Sequence, residues 1–525
     1  MSERRALNRR VFLASSAAVA AGTPLAPFAA AAGPAPAARV PDIDVRDAAR
    51  ADPTEATLAE AVVLMRRGKL TSAALVAAQT ERIERFDSTY QAYAEVTADA
   101  ALDAAHRADR HPSGVLSGIP LCVKDNYFTR AVPTRANSFV YEDFVPDRDA
   151  TAVARLKEAG AVLLGKGQMG PLATTRATTP NGTVTTVNAW TPDDPSTDPG
   201  GSSTGPACAV AGRMASSSIG TQTGGSIVNP SNQQNLTGLK PTMGRVSLYG
   251  VIPLSYTRDH AGPLARDALD AAIVLAVMSG ADAHDPRTLG LPAAPDYVRA
   301  ATPVRSRGGK VRLRRATRIG VPADFLGAAK GDVLALRRTF LDTLSGIPGA
   351  TLVDVTYPAD WEVLTGAFNA ARLPERTEPF RHWLREDLTK FGVSVLSWLQ
   401  GLLLSGDEWI TAQRAKNHLL REILDGVLAR CDVVLQTGPV PFDIVGLPEL
   451  GLPIGFDGRG VPVGTIIGGL PYEEDRLLEV AAAYQAVTDW HTRRPADPAP
   501  AGADRRKAAA ARPRLSAGEA AEQSA

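Results

Sequence analysis

Glycine and serine are concentrated in two short clusters of this chain. They are Gly200-Gly201-Ser202-Ser203-Thr204-Gly205 and Gly220-Thr221-Gln222-Thr223-Gly224-Gly225-Ser226, with a small-residue stretch between them. Glycines flanking a serine let backbone N–H groups converge on one point, and such a nest can hold the oxyanion of an acyl-transfer intermediate. A flexible Gly/Ser linker has no reason to run on into a hydrophobic stretch such as residues 236–251. The run therefore belongs to an ordered fold.

Around it, helical spacing alternates with short apolar segments. Residues 54–67, 72–86, 98–108, 152–158, 267–278, most of 383–428, and 477–490 have helical periodicity. Residues 118–123, 161–164, 318–321 and 432–435 read as buried strands. The alternation predicts an α/β fold: one large domain with a central mixed, mostly parallel sheet covered by helices on both faces. With 525 residues, 44% of them hydrophobic, the chain can build such a core.

The ends read differently. Arg4, Arg5, Arg9 and Arg10 precede an apolar run and small-residue cleavage sites, so residues 1–38 are read as a signal peptide. The string Asn8-Arg9-Arg10-Val11-Phe12-Leu13 resembles a twin-arginine export signal, which implies a secreted or cell-envelope protein. Pro24 and Pro27 cut the apolar run below the length of a spanning helix, so no stable membrane anchor is expected. Residues 39–495 are the expected catalytic domain. Residues 496–525, rich in Ala, Pro and Arg, are expected to be disordered. A net charge of +1 gives no reason to expect a nucleic-acid partner. Cys122, Cys208 and Cys431 are too few and too scattered for a disulfide framework and are read as buried thiols. Neither they nor the seven histidines have metal-ligand spacing, so no metal or cofactor is expected.

Several segments, in order, resemble the amidase signature family. Gly118-Ile119-Pro120 with Val123-Lys124-Asp125-Asn126 resembles its lysine strand. The two Gly/Ser clusters resemble its two serine loops. Gly238-Leu239-Lys240-Pro241-Thr242, Gly244-Arg245-Val246-Ser247, and Asp259 with Gly262-Pro263-Leu264-Ala265-Arg266 resemble the blocks that follow. Gly446-Leu447-Pro448, Gly451-Leu452-Pro453 and Asp489-Trp490-His491 resemble the C-terminal segment. The resemblance implies a triad of Lys124, Ser202 and Ser226. Ser226 would be the nucleophile and Ser202 a bridging serine on a cis peptide bond. It also implies an oxyanion hole from the N–H groups of Thr223, Gly224, Gly225 and Ser226.

The residue chemistry is consistent with those roles. A serine hydroxyl needs a base within hydrogen-bond reach, and lysine is a base only when neutral. Its reference pKa of about 10.4 must therefore be lowered by burial, for which the apolar strand before Lys124 is suited. Neutral Lys124 would take a proton from Ser202, which takes one from Ser226. Activity is then expected to fall towards acid pH. The expected substrate is a small-molecule or peptide amide, with linear carboxamide C–N bonds cleaved through an acyl-enzyme. An esterase with the same triad, or a binding protein that keeps the fold, stands as the alternative.

Some residues depart from the family pattern. Gln222 stands where an acid is common and Val228 where Arg is frequent. Losing both charges together leaves neither unpaired. Thr204 and Pro206 replace smaller residues beside the first serine loop. The Ser226-Ile227-Val228 run leans towards peptide-amidase-like members. In residues 373–410, Phe380, Trp383, Phe391, Trp398 and Trp409 either line an acyl pocket or pack as core. The string from Gly201 to Gly205 also fits a G-x-S-x-G elbow with Ser203 as nucleophile and His260 or His491 as partner. An elbow belongs on a strand-to-helix turn, whereas a Pro/Asp loop precedes Gly200, so this match is read as accidental.

Overall fold

Side chains alternate between the two faces of a strand, and the strand Pro120–Lys124 shows what that does here. Leu121 and Val123 join one core cluster, with the helix Ala268–Met278, while Cys122 joins another, with the helix Thr204–Ala211. The same alternation assigns Lys124 to the face of Cys122. Val433 and Leu435 likewise enter the first cluster, and Val434 enters a third one built on the helix Gly406–Glu422. Helices thus cover both faces of the sheet.

The structure is a computed structural model that describes residues 39–366, 369–499 and 512–523. Its strands are β1 Tyr93–Val96, β2 Pro120–Lys124, β3 Val162–Gly167, β4 Ser217–Gln222, β5 Thr237–Lys240 and β6 His260–Ala265. They continue with β7 Val304–Arg305, β8 Val311–Arg312, β9 Thr317–Pro322, β10 Ala350–Val355, β11 Val433–Gln436, β12 Glu449–Phe456 and β13 Pro462–Gly469. Eleven of them form one sheet in the order β1-β3-β2-β4-β6-β5-β12-β13-β11-β9-β10, and β7 pairs only with β8.

The sheet is mixed, as expected, but the expectation that it is mostly parallel is corrected. Four neighbouring pairs are parallel and six are antiparallel. The parallel pairs form two blocks, β3-β2-β4 and β11-β9-β10. Each block is fed by helical crossovers, and antiparallel strands join them across the middle. Strand direction depends on how the chain returns to the sheet, which a short apolar run does not record.

The expected signal peptide, residues 1–38, lies outside the described residues. The C-terminal expectation is corrected for residues 512–523. Val184 N–H donates to the Pro513 carbonyl and Leu515 N–H to the Gly182 carbonyl, both at 2.9 Å. The Arg512 guanidinium donates to the carbonyls of Thr185 and Thr89. The helix Ala517–Gln523 follows, with Ala520 fully buried. Backbone pairing and two arginines, Arg512 and Arg514, hold this segment, so it needs no apolar periodicity.

Candidate active site

β2 carries Lys124 at its C-terminal end, and the helix Thr204–Ala211 begins just after Ser202. That helix is made of small, wholly buried residues and packs tightly on the sheet. A Cβ on Gly205 would lie 2.2 Å from the Ala92 carbonyl oxygen. Its start is thereby pressed against the backbone that enters β1 at Ala92 and leaves β3 at Gln168. The Gly201–Ser202 peptide bond is cis. β4 runs parallel to β2 and delivers the second cluster as a loop between Gln222 and the helix Val228–Gln233.

These elements bring the three expected side chains together. Lys124 Nζ lies 2.8 Å from Ser202 Oγ, and Ser202 Oγ lies 3.2 Å from Ser226 Oγ. Exposure falls along the chain: Ser226 is 8% exposed, Ser202 1% and Lys124 0%. Gly224, beside Ser226, is exposed, so the loop opens to solvent on that side. Burial lowers the Lys124 ammonium from 10.5 to about 7, against an opposing pull from Asp259.

The orientation of a neutral Lys124 follows from its neighbours. An uncharged amine has two N–H donors and one lone pair. Thr221 accepts from Nζ through its hydroxyl at 2.9 Å and through its carbonyl at 3.3 Å. Both donors are thus taken, and the lone pair is left facing the Ser202 hydroxyl. Asn126 Nδ2 also donates to Thr221 Oγ1, at 3.0 Å, and so fixes that hydroxyl as an acceptor. Thr221 is not among the expected site residues; its only signal in the sequence is its place in the strand directly before the second loop.

Gln222 explains how the chain tolerates its missing charges. Its Oε1 accepts from the N–H groups of Ile227 and Val228, at 3.0 and 3.1 Å, and closes the loop around Ser226. Its Nε2 donates to Glu449 Oε2 at 2.9 Å. Glu449 sits opposite Lys240 in the β5–β12 register, with 3.6 Å between their charged atoms and both side chains fully buried. The neutral amide thus links the loop to a buried ion pair, and Val228 needs no partner. Gly225 takes φ +89°, and a Cβ there would lie 2.4 Å from Asn229 Nδ2, so only glycine fits.

The linkage makes Gln222→Glu costly. The substitution sets a second carboxyl against Glu449, whose own carboxyl burial pushes well up. The variant is expected to lose roughly 2–4 kcal/mol at pH 8 in urea unfolding. The new group's folded pKa would be raised, so the loss should shrink as pH falls. A variant within about 0.5 kcal/mol of the parent at pH 8 would refute the linkage.

The other departures also find places. Thr204 Oγ1 accepts from Ala177 N–H at 2.9 Å. Pro206 lies in the first turn of its helix, where no N–H partner is needed, and packs against Gly167. Phe380, Phe391 and Trp398 are buried with Met169, Leu172 and Leu254, which is the core alternative for those three rings. Trp383 is half-buried against Tyr141, and Trp409 donates to Glu375.

Ser203 lacks the partners of an elbow nucleophile. Its fully buried hydroxyl donates to the Thr221 carbonyl at 3.2 Å. His260 Nδ1 sits on the Arg258 carbonyl, and His491 lines a separate cavity of about 290 Å³ with Arg46, Glu60 and Asp267. The three cysteines are buried, and none of them forms a disulfide. Among the described residues, no group of three or more His, Cys, Asp or Glu side chains is placed to hold a metal ion.

Comparison with known proteins places the chain in a family. Residues 74–435, more than half of the chain, match the family model described as Amidase. The chain is 34% identical over 493 residues to one of the subunits of glutamyl-tRNA(Gln) amidotransferase from Chloroflexus aurantiacus, covering 84% of this chain and 98% of that one. Native peptide amidase from Stenotrophomonas maltophilia superposes with a TM-score of 0.68 at 29% identity, over 84% of this chain and 98% of that one. An amidase family protein from Bacillus anthracis gives 0.73 at 27% identity, over 85% and 93%.

Proposed function

The chain belongs to the amidase family and is a hydrolase of amide C–N bonds, and from that premise we propose that it is an exported serine amidohydrolase acting through an acyl-enzyme on Ser226. The observation that carries this reading is the unbroken contact from fully buried Lys124 through Ser202 to Ser226, the most exposed of the three. Neutral Lys124 takes the Ser202 proton as Ser202 takes that of Ser226. The Ser226 oxygen then attacks the amide carbonyl. The N–H groups of Thr223, Gly224, Gly225 and Ser226 receive the oxyanion. Return of the proton along the same path expels the amine, and water hydrolyses the ester.

Peptide-amidase-like chemistry is the favoured subclass. It is supported by the Ser226-Ile227-Val228 run and by the likeness to peptide amidase. Export rests on residues 1–38 alone. The test is ammonia or amine release by the mature chain from aliphatic, aryl and C-terminally amidated peptide substrates, with matched esters alongside. Turnover of amides, led by the peptide amide, is expected. Turnover of esters alone would reject the amidohydrolase reading in favour of an esterase, and no turnover of either by folded protein would favour a binding role.

The pH profile follows from the shifted lysine. Only neutral Lys124 accepts the proton, and its pKa is lowered to about 7. Activity is therefore expected to be full above that pH and to fall about tenfold per unit below it. A flat kcat/KM between pH 5 and 8 would remove Lys124 as the base.

A further inference from the structure

Resting on the relay proposed above, we infer that Asp259 is a positioning residue that supplies the counter-charge for the lysinium formed at Lys124 and holds the oxyanion loop through Thr223. Its place comes from strand register. β4 and β6 are antiparallel with Gln222 opposite His260, so the next residues outward are Thr223 and Asp259. The Thr223 hydroxyl donates to Asp259 Oδ1 at 2.5 Å. The other carboxylate oxygen accepts from Leu254 N–H at 2.7 Å and Ser255 N–H at 3.0 Å. Burial pushes the Asp259 carboxyl above its ordinary range, and the three neutral donors, with Arg287, pull it back towards the ionised form beside the loop that carries Ser226. Among the described residues, no Lys or Arg forms an ion pair with it.

The field of this carboxylate falls on few groups. They are Lys124, which it favours in the charged form, together with Tyr127, Arg287 and Arg376. The charged groups next to Lys124 in chain and sheet, Asp125 and Lys166, pair with each other at 3.3 Å and largely cancel. Glu449 and Lys240 likewise face each other. Asp259 is left as the charge that acts on Lys124.

Proton accounting gives it a task. As the Ser226 oxygen bonds to the carbonyl carbon, its O–H bond breaks and the proton passes to Ser202. The Ser202 proton passes to the Lys124 lone pair, and the carbonyl π pair becomes the oxyanion. A positive charge then appears at a fully buried amine, which burial opposes and a fixed nearby carboxylate offsets. The same carboxylate would oppose the oxyanion, but it is already engaged by three donors, one of them the Thr223 hydroxyl.

The experiment is the pH dependence of kcat/KM for wild type, Asp259→Asn, Asp259→Glu and Thr223→Val, using a peptide amide or whichever amide the wild type turns over. Asp259→Asn is expected to lower kcat about tenfold or more with little change in KM. Its acid limb should lie at lower pH than the wild-type limb near 7, because Lys124 loses its counter-charge. Asp259→Glu should move the limb back. Thr223→Val keeps the charge and should leave the limb in place. Asp259→Ser also removes the charge and serves if the amide variant does not fold. An unmoved limb in the neutral variants overturns the inference. A wild type with no limb near neutral pH would instead overturn the relay itself.

Discussion

Ser226→Ala is expected to lower amide turnover by on the order of 10⁴-fold or more while leaving the fold and substrate affinity intact. The proposed chemistry is covalent, so removing the hydroxyl removes the atom that forms the acyl-enzyme. Among the described residues that hydroxyl has one hydrogen-bond partner, Ser202 Oγ at 3.2 Å, and its residue is only 8% exposed. Its loss should therefore disturb little else. Intact-mass measurement after brief exposure to a slow ester should show an acyl adduct on wild type and none on the variant. An adduct on the variant would move the nucleophile elsewhere, with Ser203 the first residue to examine. Ser203 is fully buried and bonded to a backbone carbonyl, which is why that outcome is not expected.

Lys124→Met is expected to abolish turnover and to stabilise the protein. Burial lowers the lysine from 10.5 to about 7, which corresponds to a folding penalty of about 4–5 kcal/mol at or below neutral pH. The side chain recovers part of that through its contacts with Ser202 and Thr221, worth about 1 kcal/mol each. Methionine has a similar length and carries no charge. The net gain should be about 1–3 kcal/mol in urea unfolding at pH 6. The folded pKa is depressed, so the penalty is complete below about 7 and disappears above the unfolded value of 10.5. The gain should accordingly shrink towards pH 10. A variant that is inactive and markedly less stable at pH 6 would mean that Lys124 is a structural cation, not a strained base.

The legible parts of the site share one property: they are local. Glycines around a serine announce a turn of converging N–H groups, and an apolar strand ending in lysine announces a desolvated amine. Lys124, Ser202, Ser226 and residues 223–226, implied by the resemblance to the amidase signature family, all lie in such strings, and the structure brings the three side chains together. The helix-and-strand alternation gave the α/β class for the same reason. The mostly parallel pairing was misread because direction is decided by crossovers, not by residues within a strand. Residues 512–523 were misread because backbone pairing with residues 182–184 leaves no compositional trace.

What the sequence by itself determined is which groups are candidates for the reaction and that the fold is an α/β sheet. The tertiary structure alone decided how those groups are tuned. Gln222 reaches Glu449 across 227 residues of chain, and Glu449 meets Lys240 because β5 and β12 pair antiparallel. Thr223 reaches Asp259 because β4 and β6 pair with Gln222 opposite His260. A local string specifies a backbone turn, but a buried charge takes its pKa from whatever the sheet places beside it. Those neighbours come from distant strands, and their register exists only once the chain has folded.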